Sequence, residues 1–245
     1  KIKMKKISLI LLVLLTFNLY GNDSLFISAN NDYANKNYLS ASEKYENILS
    51  YNLESVELYY NLGNSYFKLD EIHKAIYNYE KALIIDQDFT EAKENIELSK
   101  LKLIDKIDEM PELFFISIYK EIQNIFSLKI WILITLISIW LSVIILIFNK
   151  LKKNKNNLTY LLLIISFLLL FLTNSIYNNN KNIRAAIIYS PVIEVMSAPS
   201  EESTKLFNLH IGTKVNINDQ IENWVNIKLT NGKKGWVLVD NLKEL

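Results

Sequence analysis

The chain has 245 residues, of which 50% are hydrophobic and none is Cys, and its formal net charge at pH 7 is +1. This length accommodates one or two domains, and the lack of Cys excludes disulfides, zinc–thiolate sites, thiol nucleophiles and a lipoprotein anchor. The charge is segregated: residues 22–128 carry 10 Lys against 19 Asp and Glu, whereas residues 149–157 carry four Lys and no acid. A uniformly basic nucleic-acid binder would not have this distribution.

The first apolar segment has the composition of a secretory signal peptide. Lysines precede an apolar run from Ile7 to Phe17, and Gly21 is the small residue available at a cleavage site. We assign residues 1–21 to a signal peptide. An uncleaved membrane anchor is the alternative, because Leu19 fits the small-residue rule for cleavage poorly.

The stretch YYNLGNSYFKLDEIHKAIYNYEKAL, residues 59–83, repeats small and aromatic residues at regular intervals. Its spacing is that of a tetratricopeptide repeat (TPR), a helix–turn–helix of 34 residues. We expect Gly63 and Ala75 to face each other where the two helices cross, because larger side chains would push the backbones apart. The residues that carry the pattern are Tyr59, Leu62, Gly63, Tyr66, Ala75, Tyr79 and Ala82.

A weaker copy of the pattern precedes this repeat by 34 residues. Its equivalent positions hold Ala29, Ala41, Tyr45 and Ile48. One further amphipathic helix within residues 90–108 is expected to cap the repeats. Residues 22–109 are therefore predicted to form an all-α domain of TPR helical hairpins.

The first helix of each repeat is expected to line a concave face that binds a protein partner. Asn30 and Asn64 occupy equivalent positions there, and we expect Asn64 to lie off the packing face. No Lys stands where related grooves bind a terminal carboxylate, which favours an internal, partly aromatic peptide segment as the partner. The alternative is a plain solvated surface. The predicted groove residues are Asn30, Tyr33, Glu57, Tyr60, Asn64, Phe67 and Lys68.

Residues 110–129 form an amphipathic segment, with Phe114, Ile118, Ile122 and Ile125 at helical spacing. This segment is predicted either to pack on the repeats or to lie at a membrane surface.

Two uncharged apolar runs, Ile130–Phe148 and Leu158–Ile176, have 19 residues each. As helices they would span roughly 28 Å, close to the hydrocarbon thickness of a bilayer. They predict a transmembrane hairpin with helices at 130–148 and 158–177.

The Lys-rich loop between the two runs, residues 149–157, predicts the orientation of this hairpin. Short basic loops stay in the cytoplasm, so both flanking regions are expected to be extracytoplasmic. The predicted location is a bacterial cytoplasmic (inner) membrane.

The tail, residues 178–245, has short Val- and Ile-rich runs separated by Pro, Gly and Asn. The stretch WVNIKLTNGKKGWVLV predicts a β-hairpin around Asn231-Gly232. With GTKV before it, the tail resembles bacterial SH3 domains, which implies a small all-β SH3-like barrel. We expect the two tryptophans to serve packing rather than ligand binding. The predicted core residues are Gly212, Trp224, Gly232, Gly235 and Trp236.

The order of segments resembles the BatE-type proteins of Bat (aerotolerance) operons. The most specific matching parts are the repeat stretch, GTKV and NGKKGWV. The resemblance implies partners among membrane-anchored von Willebrand A-type proteins and a MoxR-type ATPase, and an association with envelope stress tolerance. It implies no reaction.

The sequence predicts no enzyme and no cofactor. The only two histidines, His73 and His210, lie in different predicted domains and have no nucleophile motif beside them. We therefore predict a membrane-anchored scaffold that binds protein partners through its repeats and its SH3-like domain. The alternative is a cell-envelope anchoring protein whose SH3-like domain binds peptidoglycan.

Overall fold

The computed structural model describes residues 24–108, 110, 114–152, 157–182 and 184–245. The chain divides into two compact units: one combines the residues up to Asp108 with Ala185–Leu245, and the other is Glu109–Arg184. The predicted signal peptide at 1–21 lies outside the described residues, as do residues 153–156 of the predicted Lys-rich loop.

Within residues 24–108, five helices joined by short turns form the first part of the first unit. Ser55 caps the N-terminus of the third helix, where its hydroxyl accepts a hydrogen bond from the amide of Leu58 at 3.1 Å. The last helix ends at Lys100, so the predicted cap is shorter than the segment 90–108. The helices are α1 (24–34), α2 (Tyr38–Ser50), α3 (Val56–Lys68), α4 (Ile72–Ile85) and α5 (Thr90–Lys100).

The residues of the repeat pattern form the core of these helices. All seven pattern residues of the second copy are buried, and so are Ala29, Ala41, Tyr45 and Ile48 of the first copy. A Cβ added to Gly63 would lie 2.6 Å from Cε1 of Tyr79. The atoms nearest to Gly63 are thus those of the Tyr79 ring, and Ala75 is buried in the same core.

Seven strands of the tail form one sheet in the order β3-β2-β6-β5-β4-β1-β7. The pairs β2–β3, β2–β6, β5–β6, β4–β5 and β1–β7 run antiparallel. Within the described residues the end strands β3 and β7 do not pair with each other, so the sheet is open rather than closed into the predicted barrel. The strands are β1 (Arg184–Ile188), β2 (Val192–Met196), β3 (Lys205–His210), β4 (Lys214–Ile221), β5 (Trp224–Lys228), β6 (Lys234–Leu238) and β7 (Leu242–Glu244).

The predicted hairpin around Asn231 and Gly232 joins β5 to β6. The amide of Leu229 donates to the carbonyl of Lys233 at 2.9 Å, and this bond closes a loop of three residues. Gly232 takes a φ of 83°, which L-residues rarely adopt. The hairpin is confirmed, with a three-residue loop.

The prediction that the tryptophans are core residues is wrong. Successive side chains of a strand point to opposite faces of the sheet, and in β5 and β6 the buried residues are Val225, Ile227 and Val237. Trp224 and Trp236 are half-buried on the other face. By contrast, Gly212 and Gly235 are buried; a Cβ on Gly235 would lie 2.4 Å from Cγ1 of Val195.

The sheet docks on the repeats through the linker at residues 101–108 and through α4. The carboxylate of Asp105 accepts from the amide of His210 at 2.7 Å and from the hydroxyl of Thr213 at 2.7 Å. Lys214 forms an ion pair with Glu80 of α4 at 2.6 Å. We call this contact the joint. It joins regions that lie on either side of the second unit in the sequence.

In the second unit the described residues form three helices, α6 (Phe114–Asn124), α7 (Leu128–Leu151) and α8 (Asn157–Asn182). A seam of hydroxyl groups links α7 to α8. Thr135 Oγ1 lies 2.7 Å from Thr173 Oγ1, and Ser142 Oγ lies 2.8 Å from Ser166 Oγ. The amphipathic segment predicted before the first apolar run is α6, which belongs to this unit and not to that of the repeats.

The outer faces of α7 and α8 are apolar. Trp140, Phe167 and Phe171 are each exposed by about two thirds, whereas Ser142 and Ser166 are 2% and 5% exposed. Small polar residues thus lie between the two helices, and large apolar residues lie on their outer faces. By length and composition, Leu128–Leu151 and Tyr160–Asn178 are able to cross a membrane.

Candidate functional site: the inner face of the helical repeats

The first helices of the successive hairpins, α1, α3 and α5, are joined by hydrogen bonds between polar side chains. Asn30 Oδ1 accepts from the hydroxyl of Tyr45 at 2.5 Å and from Nδ2 of Asn61 at 3.1 Å. Asn64 Oδ1 accepts from the hydroxyl of Tyr79 and from Nδ2 of Asn95, both at 2.8 Å. The two sets are related by the 34-residue repeat. We call these six residues the Asn–Tyr ladder.

Aromatic side chains surround the second set of the ladder. The ring of Tyr60 lies 5.9 Å from that of Tyr79 and 5.1 Å from that of Phe89. In the first hairpin, Tyr33 packs edge-on against Tyr38 at 5.3 Å. Burial raises the pKa of Tyr45 to about 12 and also raises that of Tyr79. These hydroxyls therefore stay protonated and act as donors to the ladder at physiological pH.

The structure brings some of the predicted groove residues together and separates others. Asn30 and Asn64 belong to the ladder, and Tyr60 contacts it through Asn95 Nδ2 at 3.3 Å. Phe67, like Tyr33 and Tyr60, packs on the repeat core, but its ring contacts the Nζ of Lys102, 4.8 Å from the ring centre, and not the ladder. Glu57 and Lys68 are exposed. Of the seven predicted residues, Asn30, Tyr33, Tyr60 and Asn64 define the candidate site.

The ladder corrects our expectation for Asn64. Because its Oδ1 accepts from the buried hydroxyl of Tyr79, Asn64 holds α3 to α4 and α5 and does not lie off the packing face. Its Nδ2 has no hydrogen-bond acceptor among the described residues, so two donors remain for a ligand. Such donors suit the carbonyl oxygens of a peptide backbone.

We expect Asn64→Ala to lower the free energy of unfolding by about 1–3 kcal/mol, because the buried hydroxyl of Tyr79 loses its acceptor. Thermal or urea unfolding of the solubilised chain measures this loss. Adding Tyr79→Phe removes the orphaned hydroxyl and should restore part of the stability. If Asn64→Ala alone unfolds like the wild type, the ladder does not hold the helices together.

Both histidines lie at the joint, although the sequence placed them in unrelated domains. His210 Nδ1 lies 2.7 Å from Asp105 Oδ1, and the ring of His73 packs edge-on against Tyr189 at 4.9 Å. Burial lowers the pKa of His73, and Lys74 adds to this effect. Both histidine side chains therefore have a structural role in the contact between the repeats and the sheet. Within the described part of the chain, no three His, Asp or Glu side chains are grouped to hold a metal ion.

Comparison with known proteins supports the helical repeat. The family model for the tetratricopeptide repeat matches residues 56–89, which cover α3, α4 and the turn after them. No curated protein matches the chain significantly. The chain therefore contains a tetratricopeptide repeat, a module that mediates protein–protein interaction.

Proposed function

We propose that this chain is a non-enzymatic, membrane-anchored scaffold that binds a protein partner on the inner face of its repeats. The inner face is the side of α1 and α3 that carries Asn30, Tyr33, Tyr60 and Asn64. The observation that carries the proposal is that the sheet and the candidate site lie on different faces of the repeats. The sheet contacts the second helices of the hairpins, through Glu80 of α4 for example, and it shares a pocket with the side of α3 that carries Tyr59 and Tyr66. Among the described residues, the ring contacts of Tyr33 and Tyr60 are instead to Tyr38, Tyr79 and Phe89, all within the repeat region. The inner face thus remains available to a partner.

The membrane anchor in this proposal is the pair α7 and α8. Their apolar outer faces and hydroxyl seam suit a lipid environment. The joint adds independent support for a two-span topology: regions before and after the pair contact one another, so they must lie on the same side of a membrane. Two crossings satisfy that condition, whereas a single crossing would not. The basic residues between the helices favour a cytoplasmic loop and extracytoplasmic repeats and sheet.

For the partner, we propose membrane-anchored von Willebrand A-type proteins, as the resemblance to BatE-type proteins implies. This would place the chain in a Bat/MoxR-type complex of envelope stress tolerance. The open donors of Asn64 and the neighbouring tyrosines support an extended, partly aromatic segment as the contact.

Reporter fusions test the proposed topology. A reporter that is active only outside the cytoplasm is expected to be active after Leu245 and silent at Lys153, because the basic loop stays inside. An active fusion at Lys153 together with a silent one at Leu245 would reverse the orientation. Activity at both positions would argue against two crossings.

Charge reversal on the inner face tests the partner contact. Glu57 lies one helical turn before Tyr60, so the two side chains share a face of α3. It is exposed and has no hydrogen bond or ion pair among the described residues, so Glu57→Lys should leave the fold intact. We expect capture of the partner from membranes by the tagged full chain to fall on the order of tenfold. Glu43→Lys, at an exposed position of α2, is the matched control. Equal capture by the wild type and both variants would place the partner elsewhere.

A further inference from the structure

A pocket of about 190 Å³ lies within the joint, between α2, α3 and α4 of the repeats and the C-terminal strand of the sheet. Four tyrosines line it, Tyr59, Tyr66, Tyr77 and Tyr189, together with apolar side chains and a few charged ones. Pockets for drug-sized ligands have volumes of roughly 300–1,000 Å³. A ligand for this pocket must therefore be small.

One charge at the pocket is the ammonium of Lys243, on β7. Its Nζ lies 4.2 Å from the ring centre of Tyr77 and 5.3 Å from that of Tyr189. No described residue offers it an acceptor within hydrogen-bonding distance. Burial lowers the pKa of Lys243, while the charge of Glu46 opposes this change. The ammonium is held by ring faces, and its N–H groups remain available.

The opposite charge at the pocket is the carboxylate of Glu46, on α2. One of its oxygens accepts a hydrogen bond from the hydroxyl of Tyr66, which fixes the carboxylate. Its other oxygen accepts none from the described residues. Lys74 also lines the pocket, and its Nζ forms its ion pair with Glu71 at 2.5 Å. Glu46 and Lys243 attract each other and line one pocket, yet they form no ion pair within 4 Å.

We propose that this pocket binds a small zwitterion, a free aliphatic amino acid, between Glu46 and Lys243. The ligand's ammonium would bond to the open oxygen of Glu46, and its carboxylate would accept from the Nζ of Lys243. Its side chain would pack on Leu49 and Leu62, which also line the pocket. Because Glu46 belongs to the repeats and Lys243 to the sheet, the ligand strengthens the joint. This inference does not depend on a partner at the inner face.

Calorimetric titration of the full solubilised chain with L-leucine, L-valine and L-alanine tests the proposal. Both charged groups lie at exposed residues, so we expect saturable binding with a Kd of about 1 mM. N-acetyl-leucine lacks the ammonium and leucinamide lacks the carboxylate. Each should bind at least about tenfold more weakly than leucine.

Two variants extend the test to the chain's own charges. Glu46→Gln and Lys243→Met should each weaken leucine binding by about tenfold or more. Glu43→Gln and Lys228→Met, at exposed positions of the same helix and the same sheet, are the matched controls. Should Lys243→Met fail to fold, Lys243→Arg keeps the charge, and the analogue series on the wild type remains decisive.

Three results would each overturn the proposal. The first is the absence of saturable binding by any of these amino acids up to about 50 mM. The second is equal binding of leucine and its two analogues, which would mean that only the apolar body is recognised. The third is unchanged binding by a folded Glu46→Gln variant.

Discussion

Gly63→Leu is expected to lower the free energy of unfolding of the repeats by about 3 kcal/mol. The first carbon of any side chain at this position would lie 2.6 Å from Cε1 and 2.7 Å from Cδ1 of Tyr79. That ring is 1% exposed and its hydroxyl is bonded to Asn64, so it is not free to move aside. Replacing Gly within a helix gains at most about 1 kcal/mol of helix propensity. The clash therefore dominates.

Urea unfolding followed by circular dichroism measures this effect. Lys93→Leu, at an exposed position of α5, is the matched control, because it adds the same side chain without a collision. We expect the control to change stability by less than about 0.5 kcal/mol. Equal midpoints for the two variants would show that Gly63 is not the close contact between α3 and α4.

Asp105→Ala is expected to destabilise the joint by about 2–4 kcal/mol. The carboxylate accepts from the amide and the ring of His210 and from the hydroxyl of Thr213. Thr213 is 3% exposed, so its hydroxyl would be left without a partner and without water. Asp108→Ala, an exposed position in the same linker, is the matched control. Similar unfolding of the two variants would contradict this role of Asp105.

The contribution of Asp105 to the free energy of unfolding is also expected to depend on pH. Burial alone would raise its pKa, but the hydrogen bonds from His210 and Thr213 outweigh burial and hold the pKa below its usual value of 3.8. A carboxylate with a lowered pKa in the folded state stabilises above its unfolded pKa and loses this effect as the pH falls through the folded value. The stability difference between the wild type and Asp105→Ala should therefore be full at pH 7 and shrink below about pH 4. A difference that does not depend on pH would argue against an ionised Asp105.

The repeats and the hairpin were predictable because their signals are local. Small residues such as Gly63 are needed wherever two consecutive helices approach closely, and Asn231-Gly232 specifies its own turn. The ladder also has a sequence signal that the analysis missed. Asn30, Tyr45 and Asn61 recur 34 positions later as Asn64, Tyr79 and Asn95. A search for polar residues at the repeat period would have found it.

The joint could not be predicted from the sequence. Asp105 and His210 are 105 positions apart, and two long apolar helices lie between them. No periodicity links a linker residue to a distant strand, so the sheet seemed to be a separate domain. The prediction of Trp224 and Trp236 as core residues failed for a related reason. Only one face of a strand is buried, and aromatic content alone does not indicate which face that is.

Photo-crosslinking in intact membranes tests the central claim, that a partner uses the inner face while the sheet occupies the other. A benzophenone side chain replaces Tyr60 in one variant and Tyr77 in another. Tyr77 lies at the joint, 6.0 Å from Tyr189 between ring centres. The account predicts that Tyr60 yields an adduct with a second protein, whereas Tyr77 yields only a link within the chain, to the region of Tyr189 and Lys243. A second protein crosslinked at Tyr77 and none at Tyr60 would contradict it.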